Sequence, residues 1–521
     1  MTSDNRDAVL RTFAYEASPT RLGAPYLVST VGHCAHPGCD RQWDIGVERA
    51  EAMTPIQLDS AGFPARDNIG QFVPLSKAIP IPAGRLEFCD RTLALHLLFL
   101  GVPGSGKTNG MSQFVSKILE RMGPSDRMVI FDTKGDYLRK FYSPLHDYIV
   151  SLSKVDASTT GNRTPVNQVR WNLFADILVD DEEDRPVTAG EVCRTLFDEA
   201  VRQSSQPFFP KSAQNVTRAV VLALLRKEPE RLLSNKLLKE TISTASAIRD
   251  AVEGEADLEH VQSFIGGDST ESQGVLTEIQ LLSDYVFTGT FAEEGGFSVR
   301  SFVLARPDAK LPLPGPSVLF LEYDVGTGLT AQPIFRVMMD LAVKECLSRR
   351  PHPGKTFFII DEFALLPNLY YIDQGINFGR ELGTRFLVGT QNLDQVLTAY
   401  PGGRGSSILA SFGTVISFRL QDPGSRKLVT ERRGRLEVSV RVPGYISSQQ
   451  GQRQLRPFPP VDDYQLSTLR DLDAIVQYPE YDPSKLGFHP FLFKFKYLRD
   501  SFGAEREAVD SVMKQGGSGG G

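Results

Sequence analysis

The sequence of 521 residues lacks three features that define other classes of protein. Its five cysteines are too few for a disulfide scaffold in a chain of this length. It has no apolar run long enough to cross a bilayer, and its first residues, MTSDNRDAVL, have no signal-peptide core. The net charge of -6 excludes a polybasic nucleic-acid coat, although a local basic patch is still compatible with it. We therefore expect a cytoplasmic protein without a membrane span.

What is present is an ordinary globular composition, 41% hydrophobic and 23% charged, in a chain long enough for more than one domain. Residues 1–90 are rich in glycine and proline, with short apolar segments that predict a small β-rich N-terminal unit. From residue 91 onward buried strands alternate with helices, a pattern typical of a parallel sheet covered on both faces. Residues 187–292 instead show apolar side chains at helical spacing, which predicts an inserted all-helical domain.

Further elements are expected on both sides of the predicted insertion. The predicted strands are RMVIFD at 127–132, SVLFLEYDV at 317–325, TFFIID at 356–361, RFLVGTQ at 385–391 and GTVISFRL at 413–420, and a helix is expected over 333–348. Residues 436–515 mix turns, prolines and short strands, and we interpret them as a C-terminal periphery. The glycine-rich tail at 516–521 resembles an added linker and is left out of the fold prediction.

The most informative segment is LLFLGVPGSGKTN at residues 97–109, where an apolar strand leads into a glycine-rich loop and then a helix. Glycines let successive backbone N–H groups point inward, and the helix N-terminus favours negative charge, so this pattern is typical of a phosphate-binding P-loop. Lys107 would reach the β- and γ-phosphates and Thr108 would ligate Mg²⁺. The predicted ATP-binding residues are Gly101, Pro103, Gly104, Ser105, Gly106, Lys107, Thr108 and Asn109. Residues 91–186 and 293–435 are accordingly predicted to form the nucleotide-binding domain.

A second motif, FFIIDEF, places two acids at the end of an apolar strand. An aspartate in this position can hold Mg²⁺ through water, and the next carboxylate can act as general base on the attacking water. The sequence therefore predicts Asp361 as a metal ligand and Glu362 as the catalytic base, with Mg²⁺ and ATP as cofactors.

Two further side chains are predicted to act on the γ-phosphate. Gln391 ends the strand that follows the two acids, where a polar side chain can sense the γ-phosphate. Arg380, which we place on the helix between the acids and that strand, is the predicted arginine that neutralises charge during phosphoryl transfer. Arg385 and Arg419 are the alternatives for this role, and each of the three could instead be a structural arginine.

The order GVPGSGKT, FDTKGD, IIDEFALLPNL, GRELGTRFLVGTQNLDQV and SFGTVISFRLQDP resembles the HerA–FtsK superfamily of ring-forming P-loop ATPases. Within it, the sequence is most similar to the VirD4/TraD-type coupling proteins of type IV secretion and conjugation, over residues 93–435. The resemblance also rests on His96, on the WNLF motif beginning at Trp171 and on the all-helical insertion. Asp136 departs from the pattern, since many relatives have glutamate there.

The resemblance implies a RecA-like fold and a homo-oligomer, in the family a hexamer, that moves DNA through a central channel with ATP sites between subunits. On this basis Arg380 would act in trans. Such coupling proteins normally carry N-terminal transmembrane helices, which this sequence lacks, so membrane association would come through partners. Plasmid conjugation, secretion, DNA processing and phage defence all stay open as the setting, and a relaxase or nuclease as a partner.

Two other functions are compatible with the same motifs. One is an ATP-gated scaffold that recruits or controls a nuclease or relaxase without processive translocation; turnover stimulated by DNA would distinguish a motor from it. The other is a small-molecule P-loop kinase, which the pair Asp361 and Glu362 disfavours because such a kinase has no need of a water-activating glutamate.

Three remaining signals have ordinary explanations beside the functional ones. The closely spaced His33, Cys34, His36 and Cys39 could form half of a Zn²⁺ site, but a second cysteine pair is missing and Cys89 is the only other nearby candidate, so a reduced loop is the simpler interpretation. The basic residues at 432–435 and Lys211 could contact DNA phosphates or form solvated surfaces. The aromatic run at 488–497 alternates like a strand and is interpreted as core or subunit contact.

Overall fold

The computed structural model describes residues 42–52, 85–267, 269–304, 317–348, 354–432, 436–442, 452–458, 461, 463–477 and 491–498. The chain divides into two compact units. One comprises Met1–Arg121 and Phe386–Arg499, and the other comprises Met122–Arg385 and Asp500–Gly521.

Thirteen strands lie in the described part of the chain. They are β1 (Gln42–Ala52), β2 (Arg85–Cys89), β3 (Leu97–Leu100), β4 (Arg127–Asp132), β5 (Tyr148–Ser151), β6 (Ser317–Glu322), β7 (Thr356–Ile360), β8 (Thr384–Thr390), β9 (Thr414–Ser417), β10 (Leu436–Val442), β11 (Gln452–Phe458), β12 (Asp473–Gln477) and β13 (Phe491–Phe495).

Sixteen α-helices are described alongside them. They are α1 (Asp90–Leu93), α2 (Lys107–Leu119), α3 (Asp136–Phe141), α4 (Leu173–Ile177), α5 (Arg185–Gln203), α6 (Phe208–Lys227), α7 (Asn235–Ile242), α8 (Ala245–Val252), α9 (Thr270–Leu281), α10 (Val299–Val303), α11 (Gln332–Cys346), α12 (Ile372–Phe378), α13 (Leu393–Ala399), α14 (Arg404–Ala410), α15 (Pro423–Glu431) and α16 (Asp463–Thr468). A π-helix follows α9 at Leu282–Val286, and short 3-10 helices lie at Glu230–Leu232, Glu259–Phe264, Gly289–Ala292 and Phe363–Leu365.

The first unit contains a sheet in the order β2-β1-β13-β12-β9-β3-β8. β3 is parallel to both β8 and β9, whereas β12, β13, β1 and β2 continue the sheet in antiparallel pairs. All residues of β3 are buried, as expected for a central strand covered on both faces. The segment that we interpreted as C-terminal periphery therefore contributes two strands to this sheet, β12 and β13.

The second unit contains four parallel strands in the order β7-β4-β6-β5. β4 and β7 are apolar runs with every residue buried, so both faces of this sheet are covered. In parallel strands the carboxyl ends lie at one edge, and the register brings Phe131 opposite Ile360. Asp132, the last residue of β4, and Asp361, the residue after β7, are thereby placed at the same edge.

Between β5 and β6 the described chain contains helices and no strand, as the helical spacing in the sequence predicts. α5 and α6 are the long helices of this region, and polar residues at the N-caps define the shorter ones. The side chains of Ser234, Thr244 and Ser269 accept a hydrogen bond from the first turn of α7, α8 and α9, respectively. Each bond satisfies a backbone N–H that the helix leaves unpaired. The domain boundaries at 187 and 292 stay predictions.

The predicted strands agree with the observed ones to within a few residues, and the helix expected over 333–348 is α11. Among the described helices, none combines the length and the apolar character that crossing a bilayer requires. The four residues of the possible zinc half-site lie outside the described residues.

Candidate functional site

The glycine-rich loop of the first unit has the backbone shape that a phosphate cradle needs. It leaves β3 at Leu100 and enters α2 at Lys107, with Gly104 at φ 77° and Gly106 at φ 103°. These left-handed conformations strain any side chain but cost glycine little. They let the loop curl tightly, so that the helix N-terminus begins with Lys107, a buried residue, and Thr108.

Space is the second reason for glycine in this loop. A Cβ on Gly101 would stand 2.6 Å from the Ser105 Oγ and 2.9 Å from the Phe418 Cβ. A Cβ on Gly106 would stand 2.8 Å from the Leu472 Cδ2 and 3.1 Å from its backbone. The loop therefore has packed walls on two sides, one from the residue after β9 and one from the residue before β12.

Hydrogen bonds hold the loop in this shape. The Val102 N–H donates to the Arg419 carbonyl at 3.0 Å, and the Ser105 hydroxyl donates to the Val102 carbonyl at 2.7 Å. The Leu472 N–H donates to the Ser105 carbonyl at 2.9 Å, from a residue that itself has φ 68°. A loop fixed by its surroundings needs little reorganisation to bind phosphate.

Leu472 is a contributor that the sequence reasoning missed, because no local motif marks a residue that reaches the loop from about 370 positions away. Asn109 of α2 makes a related contact. Its side chain donates to the Lys496 carbonyl at 2.9 Å and accepts from the Leu498 N–H at 2.8 Å. Its assignment to the nucleotide site stays a prediction.

Gln391 lies beside the same loop. The last residue of β8, Thr390, pairs in register with Leu100, and its carbonyl accepts a hydrogen bond from the Gly101 N–H at 3.3 Å. Gln391 is the next residue and is half-buried. The fold of the first unit thus brings the predicted γ-phosphate sensor to the start of the P-loop.

The two predicted acids follow β7 in the second unit. Asp361 is 2% exposed and Glu362 is 8% exposed. The Tyr137 hydroxyl donates to the Asp361 Oδ1 at 3.4 Å, which orients the carboxylate from the side of α3. An ionisable pair kept this far from water is unusual outside functional sites.

Asp132, at the end of β4, is the third acid at this edge. Burial raises the pKa of its carboxyl to about 7, and the charges of Asp361 and Asp136 act in the same direction. The backbone N–H groups of Leu138 and Lys134, which donate to it at 2.8 and 3.3 Å, oppose the rise. Sequence reasoning gave it no role, although the signal was available: β4 ends in an aspartate and β7 is followed directly by one, and the carboxyl ends of parallel strands meet at one edge.

From the sequence we expected Arg380 to lie on a helix. The structure shows that this was wrong, because α12 ends at Phe378. It lies in the turn between α12 and β8 and is exposed. The two alternatives are engaged elsewhere. Arg385 is buried and donates to the carbonyls of Arg380 and Thr384, and Arg419 forms an ion pair with Asp471 at 3.0 Å. Of the three arginines, Arg380 is the exposed one, Arg419 is half-buried and Arg385 is buried.

The predicted residues are thus divided between the units. Lys107, Thr108 and Gln391 belong to the first unit, and Asp361, Glu362 and Arg380 to the second. Their use in one site stays a prediction.

The remaining signals separate into surface and core. Lys211 is exposed on α6, whereas the Arg432 guanidinium donates to the Phe412 carbonyl. Phe493 and Phe495 of β13 are buried, so the core interpretation is confirmed for them. Among the described residues no group of three or more histidines, cysteines and acids could hold a metal ion.

Comparison with known proteins defines the class. Residues 80–479 match the model of the type IV secretion-system coupling protein DNA-binding domain. The chain belongs to this family. It is 21% identical to the coupling protein TraD of Escherichia coli K12 over 322 residues, which cover 61% of this chain and 41% of TraD. The chain therefore matches less than half the length of this relative.

Solved structures of the bacterial conjugative coupling protein TrwB are similar in fold. An unbound form has a TM-score of 0.61 at 21% identity, covering 78% of this chain and 86% of that one. TrwB with the ATP analogue ADPNP has a TM-score of 0.58 at 22% identity, with coverages of 78% and 86%. TrwB with ADP and Mg²⁺ has a TM-score of 0.59 at 21% identity, with coverages of 90% and 97%. The expected RecA-like fold, with its central, mostly parallel sheet and its helical insertion, is confirmed.

Proposed function

We propose that this chain is an ATP-hydrolysing motor that moves DNA, as a coupling protein of the type IV secretion family. The observation that carries the proposal is the shape of the P-loop: two left-handed glycines, a glycine with no room for Cβ, and Lys107 at the first position of α2. This arrangement has one well-understood use, the binding of a nucleotide's phosphates. Membership in a family described by its DNA-binding domain supports DNA as the partner.

ATP with Mg²⁺ fits the residues present. The loop offers backbone N–H groups and a lysine to the phosphates, and the Thr108 hydroxyl and the buried Asp361 carboxylate are the hard oxygen ligands that Mg²⁺ prefers. Bound Mg²⁺ would neutralise charge on the β- and γ-phosphate oxygens. TrwB, a structural relative, has been solved with ADPNP and with ADP and Mg²⁺.

The protein's own side chains would then carry the reaction. Lys107 binds phosphate oxygens through its ammonium group, and Glu362 accepts a proton from the attacking water at its carboxylate. The side-chain N–H of Gln391, at the start of the loop, donates a hydrogen bond to a γ-phosphate oxygen, so this residue responds to the loss of that phosphate. Arg380 supplies positive charge to the transferred group.

The exposure of Arg380 supports action across a subunit boundary. A guanidinium presented to solvent can enter a neighbouring copy's nucleotide site, whereas those of Arg385 and Arg419 are held by partners in their own chain. We therefore place the ATP sites between subunits of a homo-oligomer, a hexamer by resemblance to the family. Its setting would be conjugation, secretion or a related transfer of DNA.

The first test is ATP turnover by the purified chain, with and without DNA, beside Glu362→Gln and Lys107→Ala. Loss of the base should reduce kcat by at least about a hundredfold while ATP binding persists. Loss of the lysine should weaken nucleotide binding itself. The matched control is Glu381→Gln, which makes the same change at an exposed glutamate of the same unit and should leave turnover unchanged.

Displacement of a third strand from duplex DNA would then separate a motor from a scaffold. ATP-dependent displacement that Glu362→Gln abolishes supports translocation. Turnover that DNA does not change, without displacement, would overturn the motor in favour of an ATP-gated scaffold. Full activity of Glu362→Gln would show that another group is the base.

A further inference from the structure

Residues 363–371, which we call the acid-following segment, join the two acids to α12 and so to the turn that carries Arg380. This segment is contacted from the helical insertion by one face of α5. The contacts come from Glu191, Arg194 and Asp198, whose spacing of three and four residues places them on one side of a helix.

Asp198 makes the most polar of these contacts. The Asn368 side-chain amide donates to both of its oxygens, at 3.1 and 3.0 Å. The same carboxylate accepts from the Arg336 guanidinium of α11 at 2.5 Å and from the Arg202 Nε of α5 at 3.1 Å. Asn368 has φ 53°, a left-handed conformation that asparagine tolerates better than most residues. A carboxylate with donors from three elements fixes all of them relative to one another.

The other two contacts are of different kinds. The Arg194 guanidinium stands over the Tyr370 ring, 3.8 Å from its centre, within the range of a cation–π interaction. The Tyr371 hydroxyl donates to Glu191, whose other oxygen pairs with Lys344 of α11. The three contacts join α5 to three different residues within 368–371. The helix therefore holds the segment at several points and not at one.

α11 holds the same segment from its own side. The Gln332 amide donates to the Leu365 carbonyl at 3.0 Å, and the Tyr371 N–H donates to Asp340 at 3.1 Å. α5 and α11 are joined to each other by the ion pairs Arg336–Asp198 and Lys344–Glu191, so the two helices together set the position of the segment. The segment begins at the residue after Glu362, so its position bears directly on where that carboxylate points.

We propose that α5 is the positioning element for the acid pair: through Asp198, Arg194 and Glu191 the helical insertion sets the acid-following segment, and thereby Glu362, in its working geometry. This rests on the proposed function, since it deepens the role of the same acids. Displacing a general base by about 1 Å lowers the rate of the chemical step much more than it changes nucleotide binding. The helical domain would in this way control hydrolysis without touching the nucleotide.

The test compares Asp198→Asn and Asn368→Asp with the exchange variant that carries both changes. Asp198→Asn places two amides face to face and Asn368→Asp places two carboxylates face to face, and each should lower kcat by roughly tenfold with ATP affinity unchanged within about twofold. The exchange variant restores one amide against one carboxylate at this contact but leaves Arg336 and Arg202 without the charge of Asp198, so it should recover part of the rate and exceed both single variants. Glu199→Gln is the matched control, because Glu199 is the neighbour of Asp198 on α5 and its hydrogen bonds are to Arg202 and Gln203.

Hydrogen exchange of residues 363–371 gives a second readout that needs no turnover. Exchange should be faster by about tenfold in both single variants, with that of α2 unchanged, and should return towards the wild-type rate in the exchange variant. Unchanged exchange in both single variants would overturn the proposal. An unchanged kcat, in a protein whose Glu362→Gln variant is inactive, would overturn it as well. A wild-type chain that hydrolyses no ATP would instead refute the proposed function, while the exchange result still decides whether α5 holds the segment.

Discussion

At the scale of single residues, two glycines of the P-loop share a left-handed backbone but differ in surroundings. A Cβ on Gly104 would meet no atom within 4 Å, whereas one on Gly106 would meet Leu472 at 2.8 Å. We expect Gly104→Ala to cost about 1 kcal/mol of stability through backbone strain alone. Gly106→Ala should cost more and should also weaken nucleotide binding, since it must move either the loop or Leu472.

The measurement is the thermal midpoint together with the affinity for a fluorescent ATP analogue. Gly104→Ala serves as the control for backbone strain, and the informative quantity is the difference between the two variants. Equal effects would show that Leu472 does not act as a wall for the loop.

The raised pKa of Asp132 makes a prediction about pH. Because the pKa rises from 3.8 in the unfolded chain to about 7 in the fold, the native state holds its proton more tightly. The associated stability is fully present below pH 4 and is lost as pH rises towards 7, with a slope of up to about 1.4 kcal/mol per pH unit. Asp132→Asn, which keeps an acceptor for the Leu138 N–H, should remove this slope.

Trp171 provides the measurement, since it is fully buried in the same unit and the chain has two tryptophans. In a Trp43→Phe background its fluorescence reports denaturation of the second unit alone. The difference in unfolding free energy between the parent and Asp132→Asn should change across pH 5–7. Parallel stability curves for the two proteins would contradict the shift.

The site residues that could be predicted from the sequence are those that belong to a local sequence motif. Lys107 and Thr108 follow a glycine pattern, and Asp361 follows an apolar strand, so local spacing was enough. Leu472 contacts the P-loop and Asp198 contacts the acid-following segment, and each is far from its partner in the sequence. No local pattern distinguishes them, because their partners are chosen by the fold.

At the scale of elements, α2 does more than begin at the P-loop. Asn109 on this helix binds the Lys496 carbonyl and the Leu498 N–H at the end of β13. We expect Asn109→Ala to destabilise this end by about 1–3 kcal/mol, because a backbone donor loses its partner in a partly buried place. The measurement is hydrogen exchange at residues 491–498, which should be faster in Asn109→Ala than in the parent protein.

The control for this change is Tyr497→Ala in the same segment, since Tyr497 is 69% exposed. It should leave exchange at Leu498 as it is. Equal exchange in the Asn109→Ala and parent proteins would mean that β13 is held by its sheet partners alone.

The accuracy with which each element was predicted depends on whether local sequence or long-range pairing determines it. β4 has the bounds that its apolar run predicts, since burial on both faces is visible in every residue. α12 ends two residues before Arg380, because helix ends depend on the turn that follows. β12 and β13 were described as periphery, since their place beside β9 depends on pairing between distant strands, which periodicity does not encode.

At the scale of the whole molecule, the position of Arg380 makes a prediction about mixed oligomers. Arg380→Ala and Glu362→Gln should each be inactive. If Arg380 acts in trans, mixing them allows an intact Glu362 to face an intact Arg380 from another chain. Random mixing in equal amounts should restore about a quarter of the sites, and so a similar fraction of the turnover.

The measurement is ATP turnover of the two variants after co-assembly, beside each alone at the same total concentration. Lys107→Ala mixed with Arg380→Ala should recover turnover in the same way, whereas Lys107→Ala mixed with Glu362→Gln should not, because every site in that mixture lacks either the lysine or the base. No recovery in the Arg380→Ala and Glu362→Gln mixture would place the arginine in the same chain as its base.

Leu472 also decides where the chain can be shortened. The apolar pattern of alternating strands and helices stops near residue 435, which invites a minimal ATPase cut at that point. Such a fragment would keep every residue of the glycine-rich motif but would lack the side chain that backs Gly106 and the amide that caps Ser105. The smallest autonomous nucleotide-binding fragment must therefore extend past residue 472, so its limit is set by tertiary packing and not by the motif.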